Sequence, residues 1–337
     1  MGPPIVPPKV GLPPIGSWSS MASPVLDRLT RDPATRRLAR ALADGARTVA
    51  TGALGSLPVW LAAALAQMNS APIVLVRAHL DDAEDDTEEL THAGIPVLRL
   101  PAMEALPGES ALHAELLAER PKAVRAAGEI RPDQPLIVIA SIHALMQRVP
   151  APSAIAELVR TAAAGQQLEP DALIAWLASA GYERTDAIES PGEFSVRGGI
   201  IDVFTPGGGD GRAVRLDFFG DEIEAIFEID LDTMGSDRRI EQVEIIAARP
   251  DASSDDTQPG NTPSGQRKAK GKPARPTAQF LDLLPPESLA VLVETMEAVE
   301  QGRGYYERVT DATGVDGPPA VLRVLSTRFR GFSELNL

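Results

Sequence analysis

Charged side chains alternate with apolar ones in two predicted strands near the middle of the chain. In the strand Ala213–Phe219, alternation places Arg215 and Asp217 on the face opposite the apolar side chains, looking outward. Arg197, in the preceding segment, is expected to project away from its apolar neighbours, including Ile200. Arginines gathered on an exposed sheet face suit a protein-docking patch, because guanidinium groups are enriched among interface anchors.

The same residues also fit a cross-strand surface salt bridge worth under about 1 kcal/mol. Residue types alone leave both interpretations open. Both interpretations place the arginines on an exposed face. The docking interpretation predicts that removing them changes folding stability little, whereas the salt-bridge interpretation predicts some loss of stability.

Other chemistries find less support in the sequence. The acidic run from Asp81 to Glu89 is typical of the solvated face at the start of a helix rather than of a metal site. The four histidines are scattered without ligand spacing, and no serine, histidine and aspartate combination indicates nucleophilic catalysis. We therefore predict no metal site, no cofactor and no catalytic residue.

Composition narrows the class of protein. The chain has 337 residues, and a single hydrophobic core rarely supports a chain of this length, so we expect two or more domains. Hydrophobic residues make up 44% of the chain and aromatic residues 4%. Cores built from Ala, Leu, Ile and Val are typical of an α/β protein. A net charge of −15 argues against nucleic acid as the main partner and favours a basic or mixed protein surface.

The absence of cysteine excludes disulfides and thiolate chemistry and fits a reducing compartment. No targeting segment or membrane span is recognisable, since the longest apolar run, Val59 to Met68, is too short to cross a bilayer. We expect a soluble, cytoplasmic protein with no membrane partner.

Hydrophobic periodicity predicts a parallel sheet in the first part of the chain. Helices are predicted over Asp27–Ala50 and Leu54–Met68. They are followed by short β-branched runs typical of buried strands, which are Ala71–Val76, Ile95–Leu100 and Leu136–Ala140.

The pattern changes near Pro150. A helix is predicted over Gln167–Gly181, and the strand segments Gly192–Phe204 and Ala213–Phe219 should then pair antiparallel. After a polar stretch, Phe280–Leu284 begins a helix, Ser288–Val293 is a buried strand and Glu294–Arg308 is helical.

These patterns predict five segments. They are a disordered leader at 1–23, the first part of an α/β domain at 24–150, a small α+β insert at 151–248, a disordered linker at 249–278 and the completing part of the α/β domain at 279–337.

Three segments together carry a resemblance to a known family. Ala180–Arg184, Ser190–Phe204 and Arg215–Glu224 closely resemble the UvrB-interaction domain, which the excinuclease subunit UvrB shares with transcription-repair coupling factors. The resemblance implies a helicase-like α/β domain interrupted by a domain that binds UvrA. It also implies four UvrA-binding residues, namely Arg184, Arg197, Arg215 and Asp217.

The phosphate-binding loop distinguishes UvrB from the transcription-repair coupling factors. UvrB has a Walker A loop, whereas the equivalent Ala50–Pro58 has no lysine, and its Thr51, Gly52, Gly55 and Ser56 form a degenerate loop. The resemblance therefore favours a non-catalytic coupling-factor module whose full-length relatives are ATP-dependent translocases. RNA polymerase and double-stranded DNA would be partners only of domains whose motifs are absent from this chain.

Two alternatives remain open. The first is an ATP-dependent DNA helicase or excinuclease subunit of UvrB type. The second is a DNA-binding module that uses the basic run from Arg267 to Arg275.

Overall fold

The computed structural model describes residues 23–103, 110–206, 212–231, 233, 235–248, 276–309, 312 and 314–336. The predicted leader lies outside this range up to residue 22, and the predicted linker lies outside it from 249 to 275. The segment between the predicted strands Gly192–Phe204 and Ala213–Phe219 also lies outside this range from 207 to 211. At the end of the predicted linker, Thr277–Ala278 forms a short strand.

The helices of the described residues follow in chain order. They are α1 (Pro24–Arg31), α2 (Pro33–Ala43), α3 (Leu57–Asn69), α4 (Leu80–His92), α5 (Ser110–Ala127), α6 (Ile142–Met146), α7 (Pro152–Leu158), α8 (Pro170–Ser179), α9 (Thr295–Arg308) and α10 (Pro318–Arg328), with a 3₁₀ helix at Phe280–Leu283.

The strands are mostly short. They are β1 (Arg47–Thr51), β2 (Ile73–Arg77), β3 (Val97–Leu100), β4 (Ile137–Ser141), β5 (Val149–Pro150), β6 (Val159–Ala163), β7 (Glu183–Arg184), β8 (Glu193–Arg197), β9 (Ile200–Thr205), β10 (Arg212–Phe219), β11 (Glu222–Asp230), β12 (Gly235–Ile240), β13 (Gln242–Ile246), β14 (Thr277–Ala278), β15 (Leu289–Val293) and β16 (Gly331–Asn336).

The chain divides into two compact units. Unit 1 comprises Met1–Glu104, Lys122–Val149 and Thr277–Leu337, and unit 2 comprises Ala105–Pro121 and Pro150–Pro276. In the described part of unit 1, six parallel strands form a sheet in the order β1-β16-β15-β2-β4-β3. The predicted α/β fold with a parallel sheet and an α+β insert is thus confirmed. No helix of the described residues is long and apolar enough to cross a membrane.

Burial explains the apolar strands of unit 1. Every residue of β4 and β15 is buried, as expected for strands that have helices on both faces of a parallel sheet. Leu42 of α2 and Leu65 of α3 pack in one core cluster with Ile73 and Leu75 of β2. This core is built from aliphatic side chains, as the composition predicts.

The single helix predicted over Asp27–Ala50 is wrong. Pro33 follows Asp32, whose carboxylate accepts a hydrogen bond from the Thr35 backbone N–H at 2.8 Å, so α1 ends and α2 begins there. Proline is tolerated at the first position of a helix but breaks its interior, and aspartate is a favoured N-cap. The last residues of the predicted helix belong to the edge strand β1.

Two elements near the carboxyl end have no counterpart in the sequence-based prediction. Helix α10 and strand β16 follow α9, and β16 lies between β1 and β15 in the sheet of unit 1. Gly331 opens β16 where the backbone of Leu42 approaches closely, and an added Cβ would lie 2.4 Å from the Leu42 carbonyl oxygen. The short, mixed sequence of β16 is not a continuous apolar run, and this explains why periodicity does not reveal it.

Unit 2 is built on a second, mostly antiparallel sheet. Six strands of its described residues lie in the order β12-β11-β10-β9-β8-β7, and β13 pairs with β6 in a separate two-stranded sheet. One face of the larger sheet packs with Leu173 and Leu177 of α8 in a buried cluster. The antiparallel pairing of β9 with β10 is confirmed, with Val214 opposite Val203.

Candidate functional site

The larger sheet of unit 2 has a second face that carries charged side chains. Residues opposite each other in an antiparallel pair share a face, and side chains two apart along a strand do so as well. Arg215 lies opposite Asp202, while Asp217 and Arg197 both lie opposite Ile200. Alternation along β10 adds Phe219. We call the face defined by Arg197, Asp202, Arg215, Asp217 and Phe219 the polar face.

Arg215 and Asp202 form the centre of the polar face. Arg215 Nε donates to Asp202 Oδ1 at 2.8 Å, and Nη2 donates to Oδ2 at 2.9 Å. The Asp202 side chain is 1% exposed and that of Arg215 is 17% exposed. The hydrogen bonds to Asp202 raise the pKa of Arg215. Arg215 is therefore less exposed than the sequence predicts, because its guanidinium forms two hydrogen bonds with a buried carboxylate.

Asp217 has no comparable partner on the polar face. Its Oδ1 is buried and has no hydrogen-bond partner among the described residues. Burial raises the pKa of Asp217, the nearby Asp202 and Glu224 raise it further, and Arg215 opposes them. A carboxylate in this setting is stabilised by any cation that approaches it.

Arg197 ends β8 at a tight turn formed by Gly198 and Gly199. Gly198 has a φ of 59°, a conformation that favours glycine. The segment predicted as one strand is thus a hairpin, so Arg197 shares a face with Ile200 instead of projecting opposite to it. The exposed Arg197 donates from Nη2 to the Asp186 carbonyl oxygen at 2.6 Å.

Phe219 is a site candidate that the sequence reasoning missed. Its side chain is 80% exposed at the end of β10, directly before Gly220. The Phe218 backbone N–H donates to the Gly199 carbonyl oxygen at 2.8 Å, which brings the hairpin end of β10 next to the turn that follows Arg197. Continuing the alternation from Asp217 by two residues would have placed Phe219 on the polar face. By contrast, Phe194 and Phe204 are buried.

The structure does not bring Arg184 to the polar face. Arg184 lies in the two-residue strand β7, opposite Phe194, whose side chain is buried in the core of unit 2. Its register position therefore belongs to the other face, at the edge of the sheet. The side chain is exposed and has no hydrogen-bond or ion-pair partner within the described residues.

The degenerate loop lies in unit 1, between β1 and α3. Thr51 ends β1, and Gly52 and Gly55 adopt φ values of 87° and 59°. Ser56 precedes α3 without a capping hydrogen bond from its side chain. All four residues are exposed. The loop contains no lysine, and its lack of nucleotide binding remains a prediction. Within the described part of the chain, no group of three or more acidic or histidine side chains could hold a metal ion.

Comparisons with known proteins agree with this architecture. Residues 161–250 match the family UvrB interaction domain, and this range includes every residue of the polar face. The chain is similar to the transcription-repair-coupling factor of Escherichia coli, at 31% identity over 58% of this chain and 17% of that protein. The corresponding factor of Myxococcus xanthus is 35% identical over 48% of this chain and 13% of that protein.

A further relative gives the same picture. The transcription-repair-coupling factor of Bacillus subtilis is 30% identical over 59% of this chain and 17% of its own length. The chain thus spans less than a fifth of the length of these curated relatives. The chain is therefore similar to one part of these coupling factors, and its residues 161–250 match the UvrB interaction domain.

Proposed function

We propose that this chain binds UvrA through the polar face of unit 2 and so recruits nucleotide excision repair to stalled transcription. The observation that carries the proposal is the position of this face inside the range that matches the UvrB interaction domain. Its mixture of arginine, carboxylate and exposed aromatic side chains also has the composition of a protein interface.

The geometry assigns different roles to the residues. Arg197 and Phe219 are the exposed members of the polar face. A hydrogen bond from the Phe218 backbone N–H to the Gly199 carbonyl oxygen joins the end of β10 to the turn after Arg197. An exposed phenylalanine beside an arginine provides the kind of anchor pair on which interface energies depend. Asp217, with its unpaired buried oxygen, would receive a cationic side chain of UvrA.

Arg215 has a mainly structural part in this proposal. Its two hydrogen bonds hold the buried Asp202, so it maintains the shape of the polar face as well as its charge. Arg184 lies at the edge of the sheet and would contact UvrA only at the rim of such an interface, where charges contribute little affinity.

The coupling function belongs to a longer protein. We infer that other domains of such a protein would engage RNA polymerase and make its main contacts with duplex DNA, as the name of its relatives suggests. The module described above would supply the UvrA contact. We place no catalytic activity in it.

The test is calorimetric titration of purified UvrA with the 337-residue chain and two variants, Arg197→Ala and Phe219→Ala. Each substitution should weaken binding by roughly 30-fold, because interface anchors commonly contribute about 2 kcal/mol or more. The matched control is Arg238→Ala, which removes an exposed arginine whose partner Glu228 lies opposite Val214 and not on the polar face.

Two results bear on the proposal directly. An Arg238→Ala control that retains parental affinity while both variants lose it would support docking through the polar face. A folded double variant, Arg197→Ala with Phe219→Ala, that binds UvrA as tightly as the parent would exclude this face as the docking site. Circular dichroism melting of each variant verifies that binding is compared between folded proteins.

A further inference from the structure

Unit 1 contains a concentration of arginine that contrasts with the charge of the whole chain. The chain carries a net charge of −15. Residues 24–51 and 318–333 nevertheless hold nine arginines against three aspartates, with no lysine or glutamate. The first stretch forms α1, α2 and β1, and the second forms α10 and the start of β16.

Arg47 shows that these two stretches meet. Its guanidinium donates to the carbonyl oxygen of Ser326 in α10 and to that of Gly45 just after α2. It also donates to the Phe329 carbonyl oxygen at 3.1 Å. The carboxyl ends of α2 and α10 therefore lie within reach of one side chain, at the edge of the sheet where β1 and β16 begin.

Several other arginines around this point have uncommitted side chains. Each of these side chains is exposed and makes no hydrogen bond or ion pair among the described residues, and they belong to Arg37, Arg40, Arg323 and Arg330. Arg330 lies close to Gly45, because a Cβ added to Gly45 would be 3.4 Å from the Arg330 carbonyl oxygen. We call these four residues, together with Arg47, the arginine surface.

Compensation of helix dipoles explains only part of this surface. A basic residue in the last turn of a helix stabilises it, and Arg40 is in the last turn of α2. Arg37 is not in a last turn, and Arg330 lies beyond the end of α10. Arg37 interacts electrostatically with Asp32, but Arg323 and Arg330 have no ion-pair partner among the described residues, and neither lies in the last turn of a helix.

The chemistry of the arginine surface fits a polyanion better than a protein. Protein interfaces depend on exposed aromatic and large apolar anchors. Among the described residues of these elements, both aromatic side chains, Phe329 and Phe332, are buried. The exposed large apolar residues there are Val25 and Val49, and isolated apolar side chains are ordinary on surfaces. Guanidinium groups match phosphate geometry with two parallel hydrogen bonds.

We propose that the arginine surface of unit 1 binds the phosphate backbone of duplex DNA without reading its sequence. It lies at the end of the sheet where β1 and β16 begin, whereas the degenerate loop follows the other end of β1. The polar face belongs to the other unit, unit 2.

Fluorescence anisotropy of a labelled duplex of about 20 base pairs, titrated with the 337-residue chain at salt between about 50 and 200 mM, tests the proposal. The variant replaces Arg37, Arg40 and Arg330 with Gln. It should bind at least about tenfold more weakly than the parent, and the log–log slope of its salt dependence should fall by roughly 0.9 for each phosphate that it no longer neutralises. The control makes the same charge change at Arg131, Arg239 and Arg303, which lie outside the arginine surface, and should bind like the parent.

A second control separates the surface from the basic run that precedes Arg275. In it Lys268, Lys270 and Lys272 are replaced with Gln, and DNA binding should persist. The proposal is overturned if the parent fails to bind DNA at the lowest salt, if the arginine variant binds like the parent, or if the lysine variant alone abolishes binding. Capture of UvrA by the folded arginine variant should equal that of the parent, and a loss there would reassign the surface to UvrA.

Discussion

Each unit contains a buried aspartate beside an arginine, and the two pairs differ in geometry. In unit 2, Asp202 accepts two aligned hydrogen bonds from Arg215, at 2.8 and 2.9 Å. In unit 1, Asp86 Oδ2 lies 3.2 Å from Arg77 Nε, but neither of these buried atoms makes a hydrogen bond. The Asp86 and Arg77 side chains are 7% and 11% exposed, compared with 1% for Asp202 and 17% for Arg215, so both pairs are largely enclosed.

The consequence appears in the protonation of Asp86. Burial raises the pKa of Asp86 to about 7, even though Arg77 opposes the shift, and Asp82 adds to it. The charge of Arg77 therefore does not offset the burial of Asp86, whose Oδ2 has no hydrogen-bond partner within the described residues. The comparison indicates that Asp202 and Arg215 form a committed ion pair, whereas Asp86 is neutral for part of the physiological pH range.

Among the variants considered, Arg215→Ala should cause the largest loss in the free energy of unfolding. Removing one partner of a buried ion pair leaves an uncompensated charge and commonly costs about 3 to 5 kcal/mol. We expect a loss of this size in the free energy of unfolding, measured by urea denaturation at neutral pH. This replaces the sequence-based expectation that losing Arg215 would hardly affect folding.

A second variant sharpens that test. Replacing Arg215 with Met and Asp202 with Leu together removes both charges, and a large part of the lost stability should return, because apolar replacements of buried pairs are often neutral or stabilising. A single Arg215→Ala variant that loses less than about 1 kcal/mol would show that the pair behaves as a surface salt bridge.

The second prediction is that Asp86→Asn increases the stability of the protein at pH 8, whereas Arg215→Ala decreases it. A carboxyl whose pKa is raised in the folded state binds its proton more tightly there than in the unfolded chain. Its presence therefore makes stability fall as pH rises from about 4 to the folded pKa near 7. Asparagine does not titrate, so the variant should lose this slope and be more stable than the parent at pH 8 by at least about 1 kcal/mol.

Thermal melting between pH 5 and pH 8 measures that difference in stability. A difference of one unit in pKa between the folded and unfolded states corresponds to about 1.4 kcal/mol. Glu88→Gln is the control, since it removes an exposed carboxylate of the same helix that is not among the groups raising the pKa of Asp86. If Asp86→Asn destabilises the protein at pH 8 as strongly as Arg215→Ala does, the two pairs are alike and the comparison fails.

Much of the fold follows from the sequence, and the gaps have physical causes. Continuous apolar runs identify β2, β4 and β15 because both faces of these strands are buried. Strand β16 contains Ser333 and Glu334 and is held in the sheet by its neighbours, so tertiary pairing rather than local pattern determines it. The split of the first helix required recognising that Asp32 and Pro33 form a cap.

The sequence predicts which face of strand β10 carries the candidate residues, but it does not predict how their side chains interact. Alternation correctly separates Arg215 from the core face, but alternation along one strand cannot reveal that Asp202 lies opposite it and is buried beneath it. The pairing depends on the hairpin at Gly198 and Gly199, which also fixes the face of Arg197. Whether these residues bind UvrA stays a prediction.

The smallest expected effect on stability is that of Asp217→Asn, the third carboxylate of the comparison. Asp217 shares Arg215 with Asp202 but makes no hydrogen bond through its buried Oδ1. Burial raises its pKa, so the parent should become slightly less stable as pH rises above about 4 through the folded pKa. The variant should lack this slope and otherwise fold as the parent does.

Binding, not folding, should reveal the role of Asp217. A cationic group of UvrA that approaches this carboxylate would favour its ionised form, so at acidic pH near the folded pKa complex formation should release protons, and binding should weaken as pH falls. Calorimetry in buffers with different ionisation enthalpies counts the protons released. Asp217→Asn should release fewer than the parent and bind more weakly at neutral pH. Equal proton release and equal affinity in the two proteins would place Asp217 outside the interface, and the polar face would then dock UvrA through Arg197 and Phe219 alone.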